Sequence, residues 1–251
     1  MTHITSPQNP RLKALRRLAS RRERERGGRF LAEGEDLILA AERAGRPAVE
    51  GYRLVGSELG GAGFHDVEPE ALRAVSALGS GTRVIGVYEQ RWGAACGPLC
   101  VYLHGVGDPG NVGTILRSAQ AFGASCVALG PRCADPHSPK AVRASMGAIF
   151  SVQLARVPDA RELPGERVAL LAGAPQVLGD LPEDRRGGPL TLLVGAERDG
   201  LPQEVVAACE RSARIPIASE SLNAAMAATV ALYEVTRHGG RAPASSRVRA
   251  S

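Results

Sequence analysis

The 251-residue sequence predicts an α/β protein of two domains, the second built on a largely parallel sheet. Three observations lead there. Short apolar runs alternate with helical periodicity along most of the chain. Leu99–Leu103 reads as a buried-type strand, and Leu190–Val194 is a further strand candidate, as in a sheet covered on both faces. Between Gln90 and Pro98 periodicity lapses among Gly93, Gly97 and Pro98, then restarts more strongly, which marks a boundary. The expected division is residues 1–92, residues 98–240 and a disordered basic tail over 241–251.

Taken in order, residues 11–26 read as one helix, with Leu12, Leu15, Leu18 and Ala19 at helical spacing. Phe30–Ala32 reads as a strand and Glu35–Ala44 as a helix stopped by Gly45 and Pro47. Strands follow at Tyr52–Val55 and Val84–Tyr88, with a helix at Pro69–Ala77 opened by its proline. In the second domain, strands are expected at Leu99–Leu103, Ser125–Leu129, Val168–Leu171, Leu190–Val194 and Arg214–Ile217. Helices are expected at Thr114–Phe122 and Leu222–Glu234.

Composition narrows the function classes. Net charge is +5, but the basic residues crowd the front: Arg11, Lys13, Arg16, Arg17, Arg21 and Arg22 lie within an arm spanning residues 1–29. Such an arm gains affinity for phosphate backbones by counterion release; a solvated helix face or a disordered tail fits the same pattern. The five cysteines are odd in number and form no C-x-x-C, so neither a disulfide framework nor a metal site is suggested. No apolar run spans a membrane and no apolar signal core opens the chain, so a cytoplasmic location is the default expectation.

Ligands of open α/β sheets gather beyond the carboxyl ends of strands, so the loops there are the place to look for chemistry. The first, His104–Thr114, contains a literal G-x-G-x-x-G from Gly105 to Gly110. A dinucleotide reading needs an acid at the end of the next strand. That strand runs instead into Gly130-Pro131-Arg132, with no acid until Asp135, and Pro109 removes a backbone N–H from the loop. Asn111 and Arg117 remain as candidates at the loop–helix junction, the guanidinium suiting a phosphate. The second loop, Gly195–Gly200, sets Glu197 between two glycines. The third runs from Ile215 to Asn223 into an alanine-rich helix; Ser219 or Ser221 could cap that helix, whereas Asn223 has less structural excuse inside its first turn.

These three loops, in this order, resemble motifs 1, 2 and 3 of the SpoU/TrmH-type SPOUT RNA methyltransferases. The matching stretches are Asp108-Pro109-Gly110-Asn111-Val112-Gly113-Thr114-Ile115-Leu116-Arg117, Val194-Gly195-Ala196-Glu197-Arg198-Asp199-Gly200-Leu201, and Ile215-Pro216-Ile217 continuing to Ser221-Leu222-Asn223-Ala224 and Tyr233-Glu234. The front, Ile4-Thr5-Ser6 through Asn9-Pro10 and then Phe30–Gly34, is similar to the small substrate-binding domain of members that modify ribosomal RNA. The resemblance implies a parallel-sheet domain closed by a trefoil knot, a homodimer, and S-adenosylmethionine as cofactor. It implies methyl transfer to a ribose 2′-hydroxyl, in 23S ribosomal RNA by preference, with transfer RNA or a non-catalytic assembly role as alternatives. It carries catalytic roles to Asn111, Arg117, Glu197, Ser221 and Asn223, and cofactor contacts to Gly195, Ile215 and Leu222. It implies no metal.

Overall fold

Residues 10–27, where arginines outnumber every other type, fold as two helices rather than one. Helix α1 (Pro10–Arg17) follows β1 (His3–Ile4), starts on proline and is capped by the Asn9 side chain, which accepts from the Arg11 N–H at 2.9 Å. A turn through Leu18–Ser20 separates it from α2 (Arg21–Gly27), which ends at Gly28 in the left-handed region (φ 62°). The stretch is not a free arm. Ile4, Leu12 and Leu15 are buried in one core with Leu31, Tyr52, Val67, Leu72, Ile85 and Val87.

The computed structural model describes residues 2–61, 63–77, 81–180 and 188–237; the expected tail over 241–251 lies outside them. The chain continues through β2 (Arg29–Glu33), α3 (Glu35–Arg43), β3 (Glu50–Leu54), β4 (Phe64–Val67), α4 (Pro69–Arg73) and β5 (Val84–Glu89). These strands form a sheet of order β1-β4-β3-β5-β2, parallel at β1–β4 and β4–β3 and antiparallel elsewhere.

The second sheet has seven strands and every pair in it is parallel. The chain enters it at β6 (Leu99–Leu103), then runs through α5 (Pro109–Ala121) and β7 (Cys126–Leu129). Next come α6 (Pro139–Ala144), β8 (Gln153–Arg156), β9 (Glu166–Leu170), β10 (Gln176–Val177), β11 (Leu190–Val194), α7 (Gln203–Ala207), β12 (Arg211–Arg214) and α8 (Ala224–Thr236). The order is β10-β12-β9-β11-β6-β7-β8. Every residue of β6, β7 and β11 is buried, Thr191 included, as in strands covered on both faces. Helix α8 packs on β11 and on α5, where Ser118 and Thr229 share a hydroxyl–hydroxyl bond of 2.6 Å.

The chain divides into two units that are not contiguous in sequence: Met1–Arg91 with Asp135–Ser151, and Trp92–Ala134 with Val152–Ser251. The contiguous division placed 135–151 with the second domain; in the structure the segment is bound into the first unit. Asp135 accepts from Arg24 at 2.7 and 2.8 Å, and Arg24 is only 3% exposed. The rings of His137 and Phe150 pack against Phe30 and Tyr88, with centroids 4.8 Å apart for Phe30–His137 and 4.7 Å for Tyr88–Phe150. No sequence periodicity signals these long-range partners.

Three further expectations shift. The strand expected at 214–217 is Arg211–Arg214, because Pro216 cannot donate to a ladder. The helix expected from Leu222 starts at Ala224, and the helix expected from Thr114 starts at Pro109. Among the described residues, no helix is long and apolar enough to cross a membrane.

Candidate active site

At the carboxyl ends of β9, β11 and β12 lies a cavity of about 330 Å³. Its walls come from three segments. Leu170–Ala172 leave β9, Gly195–Gly200 leave β11, and Ile215, Ile217, Ser221 and Leu222 follow β12, with Ala224 and Ala227 closing one side. All three residues expected to hold a cofactor, Gly195, Ile215 and Leu222, line it. The Leu170–Ala172 wall was missed in the sequence, since small apolar residues carry no chemical signature.

The Gly195–Gly200 loop is a tight hairpin. Ala196 and Gly200 exchange both backbone hydrogen bonds, at 3.2 and 3.0 Å, which leaves Glu197, Arg198 and Asp199 exposed at its tip. Glycine is required at both ends: a Cβ on Gly195 would meet the Gly200 carbonyl carbon at 2.2 Å, and Gly200 has φ 64°.

The first loop turns into α5 on Asp108, whose carboxylate accepts from the Asn111 N–H at 3.1 Å, with Pro109 at the first helical position. Pro109 at this position offers no backbone N–H to a pyrophosphate. Beneath the loop, His104 is nearly buried and its Nδ1 lies 3.3 Å from the Tyr102 hydroxyl. Burial, then the nearby Arg132, pushes the His104 imidazole below its ordinary value, and burial pushes Tyr102 up to about 12.

The three loops meet through side-chain amides. Asn111 Nδ2 donates to Glu197 Oε1, and Asn223 Nδ2 donates to Asn111 Oδ1 at 3.1 Å. Asn223 Oδ1 in turn accepts from the N–H groups of Ala225 and Met226, at 2.9 and 3.3 Å. Asn223 is therefore the N-cap of α8, in place of Ser219 or Ser221. Its carbonyl end caps the helix and its amide end is left to orient Asn111. Ser221 lines the cavity instead, and its carbonyl accepts from Ser219 Oγ at 3.2 Å.

Arg117 stands apart from this relay. It follows Asn111 by six residues, about 9 Å along α5. It is exposed and has no ion-pair or hydrogen-bond partner among the described residues. Glu197 takes Asn111, and not Arg117, as its partner.

In the first unit the expected RNA-contacting residues separate into two groups. Arg11 pairs with Glu50, Arg16 donates to the carbonyls of Ala74 and Pro7 at 3.2 and 2.8 Å, and Arg21 pairs with Glu25 at 3.0 Å. Lys13, Arg17 and Arg22 are exposed without an ion-pair partner among the described residues.

Comparison with known proteins agrees with this geometry. The SpoU rRNA Methylase family profile matches residues 98–233, and the MRM3-like substrate binding domain profile matches residues 9–91. The chain is 32% identical to an uncharacterized tRNA/rRNA methyltransferase of Synechocystis, over 93% of each chain. It is 28% identical to the 23S rRNA (guanosine(2553)-2′-O)-methyltransferase RlmP of Bacillus subtilis, over 94% of this chain and 99% of that one. Among solved structures, the AdoMet-bound rRNA methyltransferase of Sinorhizobium meliloti superposes with a TM-score of 0.84 at 30% identity, covering 94% of this chain and 98% of that one. The two-unit α/β fold, the three converging loops and these matches together establish that the chain belongs to the SpoU rRNA methylase family.

Proposed function

We propose that this chain transfers the methyl group of S-adenosylmethionine to a ribose 2′-hydroxyl of 23S ribosomal RNA. The observation that carries the reading is the Glu197–Asn111–Asn223 relay, which ties three loops together beside a cavity of cofactor size.

The cavity suits the cofactor. Its volume of about 330 Å³ falls in the range of small-molecule sites, and Leu170, Ile215 and Leu222 offer apolar surface to an adenine. Glu197, Arg198 and Asp199 at its edge sum to one negative charge, which suits a cofactor of net positive charge. Gly195, Ile215 and Leu222 would hold it, largely through backbone groups. When bound, S-adenosylmethionine supplies an electrophilic methyl on a sulfonium leaving group.

The chain's own residues then have to bring a ribose 2′-oxygen in line with that methyl; such positioning is worth roughly 7–11 kcal/mol in favourable cases. Arg117 binds the phosphate beside the target ribose and stabilises negative charge developing on the 2′-oxygen. A guanidinium has a pKa above about 12, so it does not itself take the proton, which passes to a phosphate oxygen or water. Asn111, held by Glu197 and Asn223, orients the ribose, and Ser221 orders the cofactor loop.

The reading extends to a homodimer. Met226, Val230 and Tyr233 recur along one stripe of α8 and are 62%, 40% and 52% exposed, an apolar face that a second copy would cover. Light scattering should report a dimer that Tyr233→Glu weakens; a monomeric wild type would refute it. The resemblance also calls for a trefoil knot: the insertion of β12 between β9 and β10, with α8 returning to pack on α5, supports that threading.

Labelled methyl transfer to unmodified large-subunit, small-subunit and transfer RNA tests the function. Label in large-subunit RNA, recovered in alkali-resistant dinucleotides, is the expected result. Label confined to transfer RNA would overturn the substrate, and alkali-sensitive label would overturn the 2′-oxygen as acceptor.

A further inference from the structure

The cavity has a wall outside the three motif loops, and one side chain holds it. Leu170, Leu171 and Ala172 line the cavity and then turn through Gly173, Ala174 and Pro175 into β10. The Ala174 N–H donates to the Leu171 carbonyl at 3.2 Å, and the Leu171 N–H donates to the Ala213 carbonyl of β12 at 3.0 Å. The next residue on β12 is Arg214, half-buried, whose Nη1 donates to the carbonyls of Ala174 and Pro175 at 2.8 and 2.5 Å. Arg214 also pairs through its backbone with Val177 of β10, in parallel register. Immediately after it come Ile215 and Ile217, which form the facing wall.

We propose that Arg214 is a positioning residue for the cofactor: its guanidinium fixes the 171–175 turn against β12, so that the walls built by Leu170–Ala172 and by Ile215–Ile217 stay at a set separation. This inference rests on the reading of the cavity as the S-adenosylmethionine site. Arg214 is not among the residues that line the cavity, so its action runs through the two carbonyls. Loops with carbonyls left unbonded by protein bond to water and move more freely, and a ligand must then meet the cost of ordering them. A hydrogen bond from a charged donor contributes more than a neutral one, so loss of both bonds should weaken the cofactor about tenfold.

The test uses the full-length chain, with Arg214→Met and Arg214→Lys beside the wild type. Calorimetry with S-adenosylmethionine should show a Kd about tenfold higher for Arg214→Met and within about threefold of wild type for Arg214→Lys, whose ammonium can still reach a carbonyl. In methyl transfer, Arg214→Met should raise KM for S-adenosylmethionine and leave kcat near wild type. A merely structural role would reduce the active fraction, hence kcat, at unchanged KM; that outcome overturns the proposal, as does a wild-type Kd for Arg214→Met. Absence of saturable binding by the wild type would instead sink the reading of the cavity, and the clamp with it.

Discussion

Helices α1 and α2 and helix α5 all carry arginines, yet their side chains meet opposite fates. In α1 and α2, Arg11, Arg16, Arg21, Arg24 and Arg26 are each engaged, by a carboxylate or by backbone carbonyls. Lys13, Arg17 and Arg22 remain exposed. In α5 there is one arginine, Arg117, and it has no partner among the described residues. A dense run of charge is therefore a poor map of available cations, because a crowded run recruits its own counter-charges as the chain folds. A lone arginine in a helix flanked by motif residues is the more informative signal.

The largest effect expected from this contrast concerns stability. Arg24→Ala leaves the half-buried Asp135 carboxylate without its cation and its own site in the core empty, and breaking such a pair costs roughly 3–5 kcal/mol. Arg22→Ala, two positions earlier on the exposed side of the same helix, should stay within about 0.5 kcal/mol of wild type. Urea titration of the two variants checks this, and equal midpoints would erase the distinction.

Next in size is the relay. Asn111→Ala removes the partner of both Glu197 and Asn223 and should slow methyl transfer about tenfold, in line with about 1.5 kcal/mol for a bond to a charged group. Asn111→Asp should be worse, since it sets a second carboxylate against Glu197. Rates for Asn111→Asp equal to or above those of Asn111→Ala would break the relay in which Glu197 accepts from Asn111.

The smallest effect is on RNA affinity. Changing Lys13, Arg17 and Arg22 together to alanine should flatten the slope of log K against log salt by about 2–3, at roughly 0.9 per phosphate contact. Arg11→Ala and Arg21→Ala, both already paired, should change it little. An equal change from the paired and unpaired sets would mean that the ion pairs open when RNA binds. Deleting residues 1–29 is not a usable test of RNA affinity, because Ile4, Leu12 and Leu15 would leave the core with them.

Much of this was legible in the chain. Apolar runs announced β6 and β11, and the three loops that converge at the cavity stood out, because a turn that must bend sharply and keep one polar side chain leaves little freedom in its residues. Other parts were not. The two-residue β1 is too short for a period, and β4, Phe64-His65-Asp66-Val67, buries only its ends. Asn223 looked functional because asparagine disfavours a helix interior, yet it stands one residue outside the helix and serves as cap and relay at once. Arg24 and Asp135 are 111 positions apart, and nothing local distinguishes a buried arginine from its exposed neighbours. The Leu170–Ala172 wall and its Arg214 clamp were invisible for the same reason: their roles arise from parallel pairing, not from residue type.

Arg117, without a partner among the described residues, is proposed to meet the RNA at the reacting ribose. Its most direct test is the single-turnover rate of methyl transfer for Arg117→Lys, at saturating RNA and S-adenosylmethionine. Lysine keeps the charge but not the planar fork of donors. The account predicts a rate at least tenfold below wild type, with cofactor Kd unchanged. A rate near wild type would contradict it and reduce Arg117 to one more surface cation.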